Sequence, residues 1–511
     1  MANLYTVLSD RFLVNPSRIA LKTPDNTWTY QQLHNLVGQM ANWLDTLALA
    51  PGARVAVQVE KTPQALALYL ATVRAGFVYL PLNTAYRESE IAYFLDNAKP
   101  AVFVCDTNHF VWAQPLSMQS GVAHTATLDA SGQGSLMTAI DTCESDYSDA
   151  NSRDDDLAAI LYTSGTTGRS KGAMLTHSNL ISNAQTLNDY WGWQSDDVLL
   201  HMLPIFHIHG LFVACHGALY AGAQMVWLPK LDVNAALKYL PSCTIMMGVP
   251  TYYVRLLAET AFDRELTQKM RLFVSGSAPL LIDTFQAFEQ RMGQAILERY
   301  GMSETGMLTS NPYQTESEQR IGSTVGKPLP GVDVRVVDDN QNTCVADQVG
   351  HIQVKGPNVF VGYWEMPEKT REEFTADGWF KTGDLGRWGG KTAQGQSIPA
   401  NYLSIVGRSK DLIISGGFNV YPKEIETIID DMTGVLESAV IGLPHADFGE
   451  AVVAVVVAQP DVAIDTEQLQ QQLKRTLANY KVPKEIHLVQ ALPRNAMGKV
   501  QKNLLREQFS R

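Results

Sequence analysis

The sequence of 511 residues is poor in cysteine and in charge, and it lacks an apolar run long enough to cross a membrane. Its five cysteines are scattered and form no CxxC pair, which excludes a disulfide framework and a cysteine zinc site. Charged residues make up 18%, and acidic side chains outnumber basic ones to give a net charge of −12. This balance disfavours nonspecific binding to nucleic acid or to an anionic membrane. With no charged-then-apolar leader after Met1, we expect a cytoplasmic protein.

The length and the hydrophobic content of 45% indicate a globular chain of two or more domains. Strand and helix patterns alternate with short joins at 54–59, 62–73 and 77–82, which is typical of a parallel α/β unit. Short strands and turns follow from residue 332, and a separate α+β pattern follows from about residue 410. We therefore predict an α/β fold, with a large N-terminal domain of parallel sheets and a β-rich subdomain over 1–409. A small α+β domain is predicted over 410–511.

Two segments are predicted to be irregular. The span 117–156 is polar and is expected to be a surface connection, and 388–401 is rich in Gly and Gln and is expected to be an exposed hairpin loop. Four histidines (His201, His207, His209 and His216) match no metal-ligand spacing. We therefore expect His207 to be a pocket residue and not a metal ligand.

Small and hydroxyl-bearing residues crowd one segment between a predicted strand and a predicted helix. They are Thr163, Ser164, Gly165, Thr166, Thr167, Gly168, Arg169, Ser170 and Lys171. Glycine lets backbone amides approach an anion, hydroxyls donate hydrogen bonds, and lysine supplies positive charge, so the segment predicts a phosphate site. It is not the GxxxxGK[ST] loop, because Ser170 stands where that pattern requires glycine. A flexible linker is the alternative interpretation.

Five motifs occur in order along the chain: YTSGTTGRSKG, YGMSET, TGDLG, GRSKDLIISGG and PRNAMGK. Together they resemble the adenylate-forming superfamily of acyl-CoA synthetases, luciferases and peptide-synthetase adenylation domains. Within it, PLNTAYRESEIAYFL, MRLFVSGSAPL, PHADFGE and further wording resemble the malonyl-CoA synthetases. The resemblance implies that a carboxylate attacks the α-phosphorus of ATP, and that the thiol of CoA then attacks the acyl-adenylate. It also implies a C-terminal domain that rotates between the two steps.

The resemblance also implies roles for individual residues. Lys499 is expected to be the adenylation lysine and Lys171 a phosphate ligand, while Glu304 with Thr163 would bind Mg²⁺. Asp384 and Arg408 would hold the ribose or phosphate, Lys410 would be the hinge, and Gly417 would lie beside the pantetheine. The adenine and its surroundings would be lined by turn and strand residues: Ser277, Ala278, Pro279, Arg299, Tyr300, Gly301, Met302, Ser303 and Thr305.

The identity of the carboxylic acid substrate is the least constrained part of the prediction. Malonate would bring a second carboxylate that needs a charged partner, for which we select Arg271, with His207 and Ser277 as neutral donors. A structural arginine remains the alternative at Arg271. The expected substrates are thus ATP, CoA and malonate, with methylmalonate as a further candidate. A ligase for another short-chain or aromatic acid stays open, and a non-catalytic nucleotide-binding module is disfavoured by the complete residue set.

Overall fold

A computed structural model describes residues 3–163, 170–392, 394–415, 418–445, 449–477, 479–495 and 498–510. The helices are α1 Leu4–Phe12, α2 Tyr30–Thr46, α3 Pro63–Arg74, α4 Glu88–Ala98, α5 Phe110–Gln119, α6 Ser135–Ile140, α7 His177–Tyr190, α8 His216–Ala221, α9 Val233–Tyr239, α10 Pro250–Leu257, α11 Ile282–Met292, α12 Pro367–Glu373, α13 Pro422–Asp430, α14 Thr466–Thr476 and α15 Lys502–Phe509. A π-helix spans His209–Cys215, and a short 3₁₀ helix spans Ser409–Asp411.

The strands number twenty-five within the described ranges. They are β1 Ile19–Lys22, β2 Thr27–Thr29, β3 Arg54–Gln58, β4 Val78–Pro81, β5 Val102–Cys105, β6 His124–Thr127, β7 Leu157–Thr163, β8 Lys171–Thr176, β9 Val198–His201, β10 Gln224–Trp227, β11 Ile245–Gly248, β12 Leu272–Ser275, β13 Leu297–Met302, β14 Gly306–Ser310, β15 Lys327–Pro328, β16 Asp333–Val337, β17 Gly350–Lys355, β18 Gly362–Tyr363, β19 Phe380–Lys391, β20 Ser397–Arg408, β21 Ile413–Ser415, β22 Phe418–Val420, β23 Val435–His445, β24 Gly449–Ala458 and β25 Glu485–Val489.

Two large sheets form the N-terminal domain. One has the order β15-β14-β13-β12-β11-β9-β10-β1-β2 and the other β18-β8-β7-β4-β3-β5-β6, and both are parallel in their centres. Helices α1, α2, α3, α7 and α8 share one core with both sheets, while α9 to α11 and α4 to α5 cover the outer faces. The predicted α/β fold is confirmed. Carboxyl ends of parallel strands are where such sheets bind ligands.

Helix α3 shows how the sequence builds the layer between the sheets. The hydroxyl of Thr62 accepts a hydrogen bond from the backbone amide of Ala65, and Pro63 takes the first helical position. Every residue from Ala65 to Arg74 is buried. A helix that is apolar on all its faces is stable only when packed on both sides, which the two sheets provide.

The remaining sheets confirm the two smaller predicted units. An antiparallel sheet of order β16-β17-β19-β20 forms the β-rich subdomain, and β21 to β25 with α13 to α15 form the α+β C-terminal domain. The domain boundary between residues 409 and 410 stays a prediction. None of the helices in the described ranges is long and apolar enough to span a bilayer.

The prediction that 117–156 is irregular was wrong, whereas the hairpin predicted over 388–401 is present with a shorter loop than expected. The span 117–156 contains the end of α5, strand β6 and helix α6, because β6 pairs with β5 at the sheet edge although its sequence, HTAT, carries little apolar pattern. The span 388–401 is a hairpin, but its strands β19 and β20 run through most of it. Strands β6 and β20 lie at sheet edges and need only one apolar face, so their polar composition concealed them.

Candidate active site

The predicted phosphate segment lies between the carboxyl end of β7 and the start of β8. Residues 164–169 lie outside the described residues, so the predicted roles of Ser164, Gly165, Thr166, Thr167, Gly168 and Arg169 have no geometry here. Ser170 is described, and its carbonyl accepts a 2.7 Å hydrogen bond from the hydroxyl of Tyr93. The ammonium of Lys171 lies 3.5 Å from the carboxylate of Glu373 and 4.3 Å above the ring of Tyr363.

The predicted Mg²⁺ ligands Glu304 and Thr163 lie together. Glu304 is buried, and one of its carboxylate oxygens is 3.4 Å from the hydroxyl of Thr163 and 3.0 Å from that of Tyr363. Burial and the neighbouring carboxylate raise the pKa of Tyr363, so its hydroxyl stays protonated and donates. Within the described ranges, no cluster of three or more His, Cys, Asp and Glu side chains is arranged to hold a metal.

Tyr363 was missed by sequence reasoning. It lies in the two-residue strand β18, which pairs with Met174 and Ala173 of β8. That pairing carries the phenol to Glu304 and Lys171, which are far away in sequence. No local pattern around Gly362-Tyr363 signals such a contact.

Asp384, for which binding of the ribose stays a prediction, is the centre of a second polar group. It is buried and accepts a 2.5 Å hydrogen bond from the hydroxyl of Tyr300, and Arg408 pairs with it at 3.2 Å. The register of β19 and β20 places Asp384 directly opposite Arg408. Asp384 raises the pKa of Arg408, and burial together with Asp384 raises that of Tyr300. The carboxylate is thus fixed in orientation by two donors.

Lys499 belongs to the C-terminal domain but lies at the site of the large domain. It follows Gly498, which adopts a φ of 73° in the turn, and its amide donates to the side chain of Asn495. The side chain is accessible to water, yet protein atoms of both domains surround it. Burial by these atoms and then the charge of Arg408 lower the pKa of Lys499, whereas Asp384 and Glu304 act to raise it. The adenylation lysine predicted from sequence therefore faces the nucleotide residues predicted from sequence.

A third group lies where β9 and β12 end. Ser277 adopts a φ of 70°, in the left-handed region that a non-glycine residue enters at a cost of about 1–3 kcal/mol. Its hydroxyl is 3.3 Å from Nδ1 of His209. Burial, with the charges of Lys499 and Arg299, lowers the pKa of His207 to about 3, and burial also lowers the pKa of His209, so both imidazoles are neutral.

Arg299 is the charged member of this third group. It is 5% exposed, and its Nε and one Nη are buried without a hydrogen-bond partner among the described residues. Its guanidinium packs on Gly276, where a Cβ would lie 2.3 Å from Cζ, so a larger residue at this position would displace the guanidinium. Burial lowers the pKa of Arg299 to about 9. A buried cation without a carboxylate is costly, and a bound anion would offset that cost.

Arg271, which we selected as the carboxylate ligand, is placed elsewhere. It precedes β12, whereas Ser277 follows that strand's carboxyl end. Its guanidinium forms two hydrogen bonds to Asp197, at 2.8 and 2.5 Å, and a third to the carbonyl of Trp191 at 3.0 Å. It also packs 5.1 Å from the centre of the Tyr313 ring. Its donors are thus committed to the protein, which supports the structural alternative.

The other predicted residues fall on the turn after β12, on β13 and in the segment after β20. Ala278 is half-buried and Pro279 exposed, while Gly301 and Met302 end β13 and Ser303 follows. Thr305 is buried and its carbonyl accepts a 2.6 Å hydrogen bond from Asn358. Lys410 lies in the 3₁₀ helix after β20, beside Asp411, which pairs with Arg506 at 2.9 Å. Gly417 lies outside the described residues.

Arg408, Asp384, Glu304 and Arg299, which belong to the groups described above, all act on the pKa of Lys499, so these groups lie around one lysine. A family model for AMP-binding enzymes matches residues 9–364, and one for the AMP-binding enzyme C-terminal domain matches residues 424–499. The chain therefore belongs to the AMP-binding enzyme family.

Malonate–CoA ligases are among the proteins to which this chain is similar. The malonate–CoA ligase of Arabidopsis thaliana is 33% identical over 96% of this chain and 86% of that protein. The ATP-bound crystal structure of MatB from Rhodopseudomonas palustris is 50% identical, covers 99% of both chains and gives a TM-score of 0.94. The apo structure of the same enzyme gives 0.83 at the same identity and coverage. The arrangement described here is therefore closer to the ATP-bound form, in agreement with the position of Lys499.

Proposed function

We propose that this protein joins malonate to CoA at the expense of ATP. One malonate carboxylate attacks the α-phosphorus, forming a C–O–P link while the bond to pyrophosphate breaks. The thiol of CoA then attacks the acyl carbonyl, forming the thioester while AMP leaves and the thiol proton passes to solvent. The family, the malonate–CoA ligases among its relatives and the MatB structure support this reaction class.

The buried and incompletely paired guanidinium of Arg299 is the observation that carries the choice of malonate. A monocarboxylate would leave this cation without a counter-charge, whereas the second carboxylate of malonate would bind it in a charge-assisted pair. Ser277 and His209 would supply neutral donors beside it. We therefore assign to Arg299 the role first given to Arg271. Methylmalonate shares both carboxylates and is proposed as a further substrate.

The first step requires positive charge at the phosphates, because a carboxylate must approach a polyanion. Lys499 and Arg408 lie on one side of the cleft, and Lys171 with the 163–171 segment would hold the β- and γ-phosphates. Asp384, oriented by Tyr300 and Arg408, would accept hydrogen bonds from the ribose hydroxyls. The turn after β12 and strand β13 would line the adenine. In the second step, rotation at Lys410 would remove Lys499 and bring Gly417 to the pantetheine.

Magnesium is proposed as the accompanying metal. The donor set fits it, because Glu304 offers one buried carboxylate beside the Thr163 hydroxyl, and Mg²⁺ commonly takes few protein oxygens plus substrate phosphates. When bound, the ion would neutralise part of the phosphate charge. The cytoplasm remains our proposed compartment, since all five cysteines are free. Fractionation of the native cells would test that assignment.

The substitution Arg299→Met tests the choice of acid. Adenylation of malonate and of butyrate is compared by pyrophosphate release at fixed ATP, because butyrate has a similar length and no second charge. We expect malonate activity to fall by about a hundredfold and butyrate activity to change by less than about threefold.

Arg271→Met is the matched control. It removes an arginine that is bound to Asp197. The protein should become less stable, and its activity should therefore fall equally with both acids. If Arg299→Met weakens the use of ATP, malonate and butyrate equally, the assignment is overturned. Arg299 would then line the adenine, as predicted from the sequence.

A further inference from the structure

Lys61 is a buried lysine in the N-terminal domain with no acidic partner among its recorded contacts. It is 7% exposed, and its ammonium lies 4.4 Å above the ring of Trp227. Lysine is almost never buried unless it is paired, because desolvating its charge is costly. Burial lowers the pKa of Lys61. The sequence motifs and the proposed reaction leave this residue without a role.

The contacts of Lys61 fix its hydrogen-bond pattern. Its Nζ is 2.7 Å from Nδ1 of His201, 2.9 Å from the carbonyl of His201 and 2.6 Å from the carbonyl of Leu228. Three acceptors match the three protons of an ammonium. Nδ1 of His201 accepts one of these hydrogen bonds. The single N–H proton of the neutral imidazole therefore lies on Nε2.

His201 links Lys61 to the π-helix by a hydrogen bond. Its Nε2 donates a 2.9 Å hydrogen bond to the carbonyl of Gly210, the second residue of that helix. Gly210 is packed so tightly that a Cβ would lie 2.0 Å from the carbonyl oxygen of Pro204. The π-helix is a rare conformation that recurs at functional sites, and it needs support from its surroundings.

The first residue of this π-helix is His209, whose ring lies 3.3 Å from the hydroxyl of Ser277. These two residues and Arg299 form the proposed acid pocket. Lys61 itself comes from the loop between β3 and α3, on the seven-stranded sheet, whereas His201 ends β9 and Leu228 follows β10 of the nine-stranded sheet. The lysine therefore ties the two sheets together at their carboxyl ends. A path of hydrogen bonds joins it through His201 and Gly210 to the element that carries His209.

We propose that Lys61 is a positioning residue for the acid pocket, which acts through His201 to hold the π-helix in the register that places His209 against Ser277, beside Arg299. This inference rests on the proposed function. It assigns to Lys61 a part in the selection of the dicarboxylate, without contact to any substrate.

Lys61→Met is the first test, because methionine keeps most of the volume and removes the donors. We expect the KM for malonate to rise by about tenfold, with the KM for ATP within about twofold, and the preference for malonate over butyrate to decrease. Tyr30→Phe is the control. It removes another buried donor, bonded at 2.6 Å to the carbonyl of Ala223, and should lower the thermal midpoint without changing the ratio of the two acids.

Two substitutions of His201 test the same proposal even if the Lys61→Met variant fails to fold. Glutamine can place its amide nitrogen near Nε2 and keep the bond to Gly210, whereas asparagine places its amide near Nδ1 and loses that bond. We expect the KM for malonate to rise at least about fivefold more in His201→Asn than in His201→Gln.

Equal KM values in the two His201 variants, or equal changes for ATP and malonate in Lys61→Met, would overturn the role of Lys61. Failure of the wild-type protein to use malonate would instead overturn the proposed function, so the two failures are distinguishable.

Discussion

Lys171 lies 3.5 Å from Glu373, so the lysine predicted to bind phosphate is held by an acidic side chain of helix α12. This carboxylate would compete with the phosphates of ATP and pyrophosphate for the same ammonium. We therefore expect Glu373→Gln to lower the KM for ATP by about threefold and to strengthen product inhibition by pyrophosphate. Both are measured by malonyl-CoA formation at varied ATP and pyrophosphate.

Glu372→Gln is a control from the same helix, since Glu372 is bonded to Lys369 and not to Lys171. It should leave the KM for ATP unchanged. An increase in that KM for Glu373→Gln would mean that the carboxylate orients Lys171 for phosphate and does not compete with it.

Lys499→Ala is expected to separate the two half-reactions. Removal of the cation that faces Asp384 and Glu304 should slow adenylation by about a thousandfold, because the charge that offsets the approaching anions is lost. Thioester formation from presynthesised malonyl-adenylate and CoA should stay within about fivefold of wild type. Lys474→Ala, on the exposed face of α14, should leave both steps intact. Equal loss of both steps in Lys499→Ala would exclude a role confined to adenylation.

Tyr300→Phe is expected to weaken ATP binding. The phenol donates a 2.5 Å hydrogen bond to Asp384, and a bond to a charged group contributes about 1.5–3 kcal/mol. The KM for ATP should rise by about tenfold while that for malonate changes little, as measured by pyrophosphate release. Tyr253→Phe removes a core hydroxyl bonded to the carbonyl of Val274 and should affect only stability. An unchanged KM for ATP in Tyr300→Phe would argue that Arg408 alone orients Asp384.

His216 gives a prediction about pH and stability. Burial lowers its pKa from 6.5 to about 3, so the unfolded chain binds its proton more readily than the folded one. Stability from this residue is complete above pH 6.5 and is lost as the pH falls towards 3. Between pH 7 and pH 5 the loss is about 2 kcal/mol.

His216→Gln keeps a polar partner for the hydroxyl of Tyr69, which lies 2.7 Å from the imidazole. Urea unfolding at pH 7 and pH 5 should show that this variant loses less stability on acidification than the wild type. The same pH dependence in both proteins would mean that His216 is already accessible to protons in the folded state.

The sequence patterns predicted the large sheets, because buried strands are apolar and each ends in a Gly- and Ser-rich turn. The individual site residues came from the resemblance to the adenylate-forming superfamily, and their roles stay predictions. Neither source distinguished Arg271 from Arg299, because only the folded chain brings Asp197 to the first and leaves two nitrogens of the second without a partner among the described residues.

The π-helix and Tyr363 were also missed, for a related reason. The sequence HGLFVAC has no feature that distinguishes a π-helix from a turn. The bond from His201 to Gly210 is local, but His201 is itself held by the distant Lys61. Tyr363 depends on the pairing of β18 with β8. Periodicity within a segment does not contain information on such distant contacts.

The most direct measurement is acid-dependent AMP release by the wild-type protein with ATP, Mg²⁺ and CoA, with the product identified by mass spectrometry. Malonate, methylmalonate, acetate, butyrate and a cinnamate are compared at equal concentrations. We predict that malonate gives the highest kcat/KM, by about a hundredfold over butyrate, and that malonyl-CoA is the product. A higher kcat/KM for butyrate, acetate or the cinnamate than for malonate would contradict the assignment of the second carboxylate to Arg299.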